Sequence, residues 1–327
     1  MSKVQNIAVL TSGGDAPGMN ACIRAVARAG IYHGLGVYGA MDGFNGLIEN
    51  RMKQLMYDDV SNIIQRGGTI LGTARSKEFM QEEFRKVAFQ NLRTRNIGAL
   101  IIIGGDGSFK GGQILSHEHD IPVIGIPGTI DNDIYGTDYT IGFDTALNTI
   151  IDAIDKIRDT ASSHHRLFLV EVMGNNSGIL ALNAAAASGA EEVFMPERRE
   201  DLDEFEQKVR KALKAKKSSI VVVAEGDALG GAKELMDELK SRGVESDRMR
   251  IAILGHMQRG GTPTFLDRLY STRMGEAAVV ALLKGEKNIM VGVSNGNVIS
   301  MHLDDAQTKA KPKNMDYLKL IRKLSVY

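Results

Sequence analysis

The chain has 327 residues, 43% apolar and 24% charged, enough to bury a large core and, by length, to form two domains. Its 40 Lys and Arg balance 40 Asp and Glu, so no whole-molecule field recruits nucleic acid or an anionic membrane, and an anionic ligand must be held by local clusters. One cysteine (Cys22), no long apolar signal region in MSKVQNIAVL and no apolar run of membrane-spanning length point to a cytoplasmic protein without disulfides.

Six short apolar runs read as strands: Ile7 to Leu10, Ala99 to Ile103, Pro122 to Ile126, Leu167 to Val172, Ser219 to Ala224 and Ile251 to Leu254. Between them lie stretches with apolar residues three and four apart, expected as helices over Gly18 to His33, Glu82 to Asn96, Gly142 to Ser162, Leu202 to Lys216 and Pro263 to Leu283. Such alternation predicts an α/β fold with mostly parallel sheets, whose ligands gather outside the carboxyl ends of the strands. Many of the 36 glycines sit at those ends, where backbone can approach phosphate.

Three segments stand there. Leu10-Thr11-Ser12-Gly13-Gly14-Asp15-Ala16-Pro17-Gly18-Met19-Asn20 links the first strand to a helix, so amide groups and a helix N-terminus can face an anion. It matches neither the Walker nor the dinucleotide pattern, and a plain tight turn explains it equally well. Ile103-Gly104-Gly105-Asp106-Gly107-Ser108 places a carboxylate where Mg²⁺ can be held against phosphate, or where Asp106 caps a helix. Pro127-Gly128-Thr129-Ile130-Asp131-Asn132-Asp133 sets two carboxylates two residues apart, suited to one general base and one metal-supporting group, or to an Asp- and Asn-rich turn.

Taken with RGGT and GTAR, VEVMG, VAEG and GHMQRGG, these strings run in order from Thr11 to Gly261, and the ordered set resembles the bacterial-type ATP-dependent phosphofructokinases. The resemblance implies two Rossmann-like three-layer α/β/α lobes with the active site in the cleft between them. Residues 1–140, with a returning segment near 255–305, would form the ATP-binding lobe; 141–254 with 306–327 would bind fructose 6-phosphate. It also implies direct in-line transfer of the ATP γ-phosphoryl group to the sugar 1-hydroxyl, with no covalent enzyme intermediate.

Carried over by position, Gly14 faces the transferring phosphoryl group and Arg75 stabilises its charge. Ser76, Gly105, Asp106, Gly107 and Ser108 line the ATP phosphates, with Asp106 on Mg²⁺. Thr129 and Ile130 border the phosphoryl group, Asp131 takes the hydroxyl proton and Asp133 supports the metal. Met173, Gly174, Asn175, Glu225, Met257 and Gln258 line the sugar, and Arg166, Arg250, His256 and Arg259 grip the 6-phosphate. Convergent arginines suit a phosphate monoester. In the family Arg166 and Arg250 come from a neighbouring subunit, which implies a homo-oligomer, by analogy a tetramer. Pyrophosphate-using relatives carry Asp at the position of Gly107 and Lys at that of Gly128; glycine at both favours ATP as donor.

An effector pocket for ADP or phosphoenolpyruvate is implied at Arg24, Ala25, Val26, Ala27, Arg28, Arg158, Gly189, Ala190, Glu191, Lys214, Lys216, Lys217 and Ser218. Three positions depart from the family: Tyr57 for Arg and Asn62 for Asp near this pocket, and Asn175 for Arg beside the reacting phosphoryl group. Two alternatives stand beside the kinase reading: another kinase with a Gly-Gly-Asp-Gly turn, such as an NAD or lipid kinase, and a non-catalytic sugar-phosphate or nucleotide-binding subunit.

Overall fold

The computed structural model describes residues 4–199, 201–215, 217–245 and 247–325; Lys216, assigned above to an effector pocket, lies outside them. The chain divides into two compact units, Met1–Thr145 with Arg259–Lys311, and Ala146–Gln258 with Pro312–Tyr327.

In the first unit the chain order is β1 (Asn6–Ser12), α1 (Met19–Tyr32), β2 (Gly36–Ala40), α2 (Phe44–Ile48), β3 (Met52–Gln54), α3 (Glu82–Thr94), β4 (Ile97–Gly104), α4 (Asp106–His119), β5 (Val123–Pro127) and the start of α5 (Phe143–His164). The second unit follows with β6 (Leu167–Val172), α6 (Ile179–Ser188), β7 (Glu192–Phe194), α7 (Leu202–Lys214), β8 (Ser219–Ala224), α8 (Ala232–Ser241) and β9 (Met249–Ile253). The chain then returns to the first unit for α9 (Phe265–Leu283), β10 (Ile289–Ser294), β11 (Asn297–His302) and α10 (Leu303–Thr308), and ends in the second with α11 (Asp316–Leu324).

The first sheet has the order β11-β10-β5-β4-β1-β2-β3. It is parallel except where β3 and β11 pair antiparallel at its edges. Alternate side chains explain its layers: Ala8, Leu10, Leu100 and Ile102 enter one cluster with Phe44, Leu92, Phe109 and Leu303, while Ile7, Val9, Ile101 and Ile103 on the other face are equally buried. Each fully buried Ile or Leu contributes about 1.5–3 kcal/mol. On that second face α1 lies against α9; a Cβ at Gly275 would come within 2.9 Å of the Cys22 carbonyl oxygen, so only glycine admits the close approach.

The second sheet, β7-β8-β6-β9, is all parallel. Leu167, Leu169, Val221 and Val223 pack with Phe205, Val209, Leu235 and Leu239 from α7 and α8, and Val170, Val172, Val222 and Ala224 are buried on the opposite face. Both units are therefore helix-covered, mostly parallel sheets, as the alternating pattern predicts, and each of the six expected strands forms. Among the described residues no helix is long and apolar enough to cross a membrane.

Candidate active site

The three motif loops leave the carboxyl ends of three neighbouring parallel strands. Ser12 of β1 pairs in register with Gly104 of β4, and Gly104 with Pro127 of β5; Gly128 N–H donates to the Gly104 carbonyl at 2.9 Å. Contact between the loops is close. A Cβ at Gly104 would come within 2.6 Å of the Ser12 carbonyl oxygen and 2.7 Å of Ser108 Oγ, which excludes every side chain there. Helix α4 starts at Asp106 with Gly105 at its cap, and no side chain caps it. Ser108 and Phe109 N–H donate to the Gly105 carbonyl, so the Asp106 and Gly107 amides and the positive end of the dipole are left for an anion.

Asp106 is exposed at this helix start. Desolvation raises its carboxyl above the usual range, against the pull of Lys110. A carboxylate whose largest perturbation is lost hydration gains from an added cation. Among the described residues no group of three or more His, Cys, Asp or Glu stands ready for a metal, and Mg²⁺ commonly takes only one or two protein carboxylates, with substrate phosphates and water completing its shell. The donor set fits that ion.

The loop carrying Arg75 is fastened beside β1. Thr11 Oγ1 donates to the Gly72 carbonyl at 2.7 Å and Thr73 Oγ1 to the Gly13 carbonyl at 2.8 Å. Asn20 accepts from Ile70 N–H at 2.7 Å and donates to the Arg66 and Gly67 carbonyls. Arg75 itself is exposed, and Ser76 Oγ accepts from Phe79 N–H. Arg259, expected on the sugar phosphate, stands in the first unit against the Gly14 loop, where Nη1 donates to the Asp15 carbonyl at 3.1 Å. A Cβ at Gly14 would overlap its guanidinium.

In the third loop Asp131 N–H donates to Thr129 Oγ1 at 3.2 Å and Thr140 Oγ1 to the Thr129 carbonyl at 2.5 Å. Asp131 and Thr129 are half-buried, Ile130 is buried and Asp133 is exposed. Asn132 takes the left-handed backbone (φ 50°) between the two acids, where Asn is tolerated. Sequence reasoning passed over Lys311. Its ammonium donates to Asn132 Oδ1 at 2.7 Å and to the Asp138 carbonyl at 3.1 Å. Burial lowers it to about 8, against the opposing pull of Asp138 and Asp133. No motif marks it, because its partner lies 179 positions away.

In the second unit the candidates fall at opposite ends of one sheet. Met173, Gly174 and Asn175 follow β6, Glu225 follows β8 and His256, Met257 and Gln258 follow β9, all at carboxyl ends. Asn175 N–H donates to Glu225 Oε1 at 2.9 Å and Met173 N–H to Gln258 Oε1 at 3.1 Å, so these loops are joined. Asn175 has φ 52°, a conformation that suits Asn better than a long side chain. Arg166 precedes β6, and Arg250 pairs with Phe168 near the start of the same sheet. By register Arg166 lies seven residues and Arg250 five residues from the level of Glu225, roughly 17–23 Å at the strand rise; the unit does not bring them together.

The effector candidates divide between the units. On α1 the side chains of Ala25, Val26 and Ala27 are buried, leaving Arg24 and Arg28 as the polar groups of the 24–28 stretch. Arg28 donates to Ser61 Oγ at 3.2 Å and lies 5.7 Å from the centre of the Tyr57 ring, so the tyrosine engages the cation. Desolvation and the neighbouring Arg28 lower Arg24. Asn62 has φ 55°, again a left-handed position. In the second unit Arg158 donates to the Ser188 and Gly189 carbonyls at 2.7 and 3.1 Å. Ala190 is buried. Burial raises the Glu191 carboxyl, while Ile220 N–H and Arg158 pull it down. Lys214 and Lys217 are exposed and Ser218 half-buried.

The phosphofructokinase family model matches residues 6–282. The chain is 50% identical to ATP-dependent 6-phosphofructokinase 2 of Bacteroides thetaiotaomicron over all of both chains. It is 49% identical to ATP-dependent 6-phosphofructokinase 1 of Thermus thermophilus over 99% of this chain and 100% of that one. Among solved structures it is similar to the phosphofructokinase of Saccharomyces cerevisiae, with 36% identity and a TM-score of 0.86 over 93% of this chain and 45% of that chain. The chain belongs to the phosphofructokinase family.

Proposed function

We propose that this chain is an ATP-dependent 6-phosphofructokinase, which transfers the γ-phosphoryl group of ATP to the 1-hydroxyl of fructose 6-phosphate in the committed step of glycolysis. The observation that carries the reading is the meeting of the Gly14, Asp106 and Asp131 loops at adjoining ends of β1, β4 and β5. Phosphoryl transfer needs positioning and charge stabilisation more than covalent chemistry. The α4 N-terminus and the Gly14 loop offer backbone amides to the phosphates, and Arg75 supplies a cation. Asp131 accepts the hydroxyl proton while Thr129 keeps its turn in place, so transfer is direct and in line. Asp106, supported by Asp133, would hold Mg²⁺, which neutralises phosphate charge and aligns the phosphoryl oxygens.

Glu225 and the residues after β6 and β9 receive the sugar. The separation of Arg166 and Arg250 from Glu225 within one unit supports their serving a neighbouring subunit's 6-phosphate, and hence a homo-oligomer, by analogy a tetramer. Arg24, Arg28 and Arg158 with the exposed lysines support regulation by ADP or phosphoenolpyruvate. Expression of the chain and a coupled assay for ADP release test the whole reading. Saturable turnover with ATP and fructose 6-phosphate, and none with pyrophosphate, is expected; fructose 6-phosphate binding without ADP release would overturn it in favour of a binding subunit.

Donor choice has its own test. A Cβ at Gly107 meets nothing within 4 Å, whereas one at Gly128 would lie 3.0 Å from the Ile103 side chain and 3.1 Å from Met19. Gly107→Asp therefore fits the fold while setting an anion at the α4 N-terminus beside the phosphates. It is expected to raise the KM for ATP about tenfold or more with unchanged thermal stability, as measured by steady-state kinetics and thermal unfolding.

A further inference from the structure

The stretch after α10 returns across the loop that carries Asp131. Lys309 Nζ stands 5.6 Å from the centre of the Tyr135 ring. Two residues later Lys311 closes a small network: its ammonium and Thr140 N–H both donate to Asn132 Oδ1, at 2.7 and 3.0 Å, and the Asp138 carbonyl accepts from both Lys311 Nζ and Asn132 Nδ2. Asn132 is buried and in the left-handed conformation, so the rotation of the 131–133 turn depends on what grips its side chain. The ammonium is the sole charged donor in this grip among the bonds described, and hydrogen bonds with a charged partner are roughly twice as strong as neutral ones.

We infer that Lys311 is a positioning residue for the phosphoryl-transfer reaction, clamping Asn132 so that the Asp131 carboxylate is held in its working orientation. This rests on Asp131 being the general base. Lys311 touches no substrate; it acts through Asn132, and the 309–311 segment serves as a strap over the acidic turn. A clamp of this kind acts on kcat, because a slackened base loses alignment while the α4 and Gly14 loops still bind nucleotide.

The test is Lys311→Met, which keeps the length and apolar stem but removes the donor. The expected result is a kcat lowered about tenfold to a hundredfold, with the KM for ATP within about twofold of wild type. In the double variant Lys311→Met/Asn132→Ala the loss should be no greater than in Asn132→Ala alone, since both remove one clamp. A kcat within twofold of the wild type, or losses that multiply in the double variant, overturns the inference. Should Lys311→Met fail to fold, Lys311→Gln, which removes the charge, is measured instead, with the same kcat and KM criteria. If the wild-type chain shows no turnover, the kinase reading falls, and the clamp is judged by hydrogen exchange of the 131–138 amides. Exchange about tenfold faster in Lys311→Met supports it, and unchanged protection overturns it.

Discussion

Asp131→Asn is expected to lower kcat by a factor on the order of 10² to 10⁴, with ATP affinity within about twofold of wild type. The substitution keeps shape and removes only the capacity to accept a proton. The turn survives it, since the anchoring bonds run through the Asp131 backbone N–H, the Asn132 amide and Thr140 rather than through the base's carboxylate alone. Steady-state kinetics with fructose 6-phosphate and calorimetric titration with a non-hydrolysable ATP analogue separate the two quantities. Near-normal turnover would remove Asp131 as base; equal loss of turnover and nucleotide affinity would make it a binding residue.

A second large effect concerns stability. Asp267, buried in the first turn of α9, accepts from Gly142 N–H and Thr145 N–H at 2.8 Å and from Thr145 Oγ1 at 2.5 Å, tying the start of α5 to α9. Asp267→Ala strands three buried donors, and a loss of about 3–5 kcal/mol is expected, read as a fall in the thermal midpoint of the order of 10 °C. The same carboxyl carries a pH signature. Burial raises it from 3.8 to about 6, with Asp144 adding to the rise and the three donors opposing it. Folding therefore favours its protonated form. That contribution is fully present below pH 3.8 and is lost as pH rises through 6. The stability advantage of wild type over Asp267→Asn, which does not titrate, should shrink across that window in denaturant unfolding at stepped pH; a constant difference would show that Asp267 does not titrate there.

Strand ends and glycine loops were legible because their signals are local. Ala99 to Ile103 is apolar at every position, and β4 is buried on both faces; the Gly-Gly-Asp-Gly segment marks the turn from that strand into α4. Elements with little local signature went unread. Helix α6, ILALNAAAAS, is buried almost all round and shows no polar face, and β7 has only three residues. Strand β11 is an exposed edge whose pairing with β10 supplies its order. For the site, the sequence identified the three loops, but the Arg259 contact with the Asp15 carbonyl spans 244 positions. No spacing rule reaches that far, and the same holds for Lys311.

The first unit is written in two separated stretches of chain, and this has a cost during synthesis. Until residues beyond 258 have left the ribosome, β5 lacks β10 at its side and α1 lacks α9 on its outer face. A nascent or prematurely terminated polypeptide would thus present an unpaired strand margin and a bare greasy helix, the features that recruit chaperones and seed aggregates. Completion of the chain past residue 258 would therefore be the step that hides both surfaces.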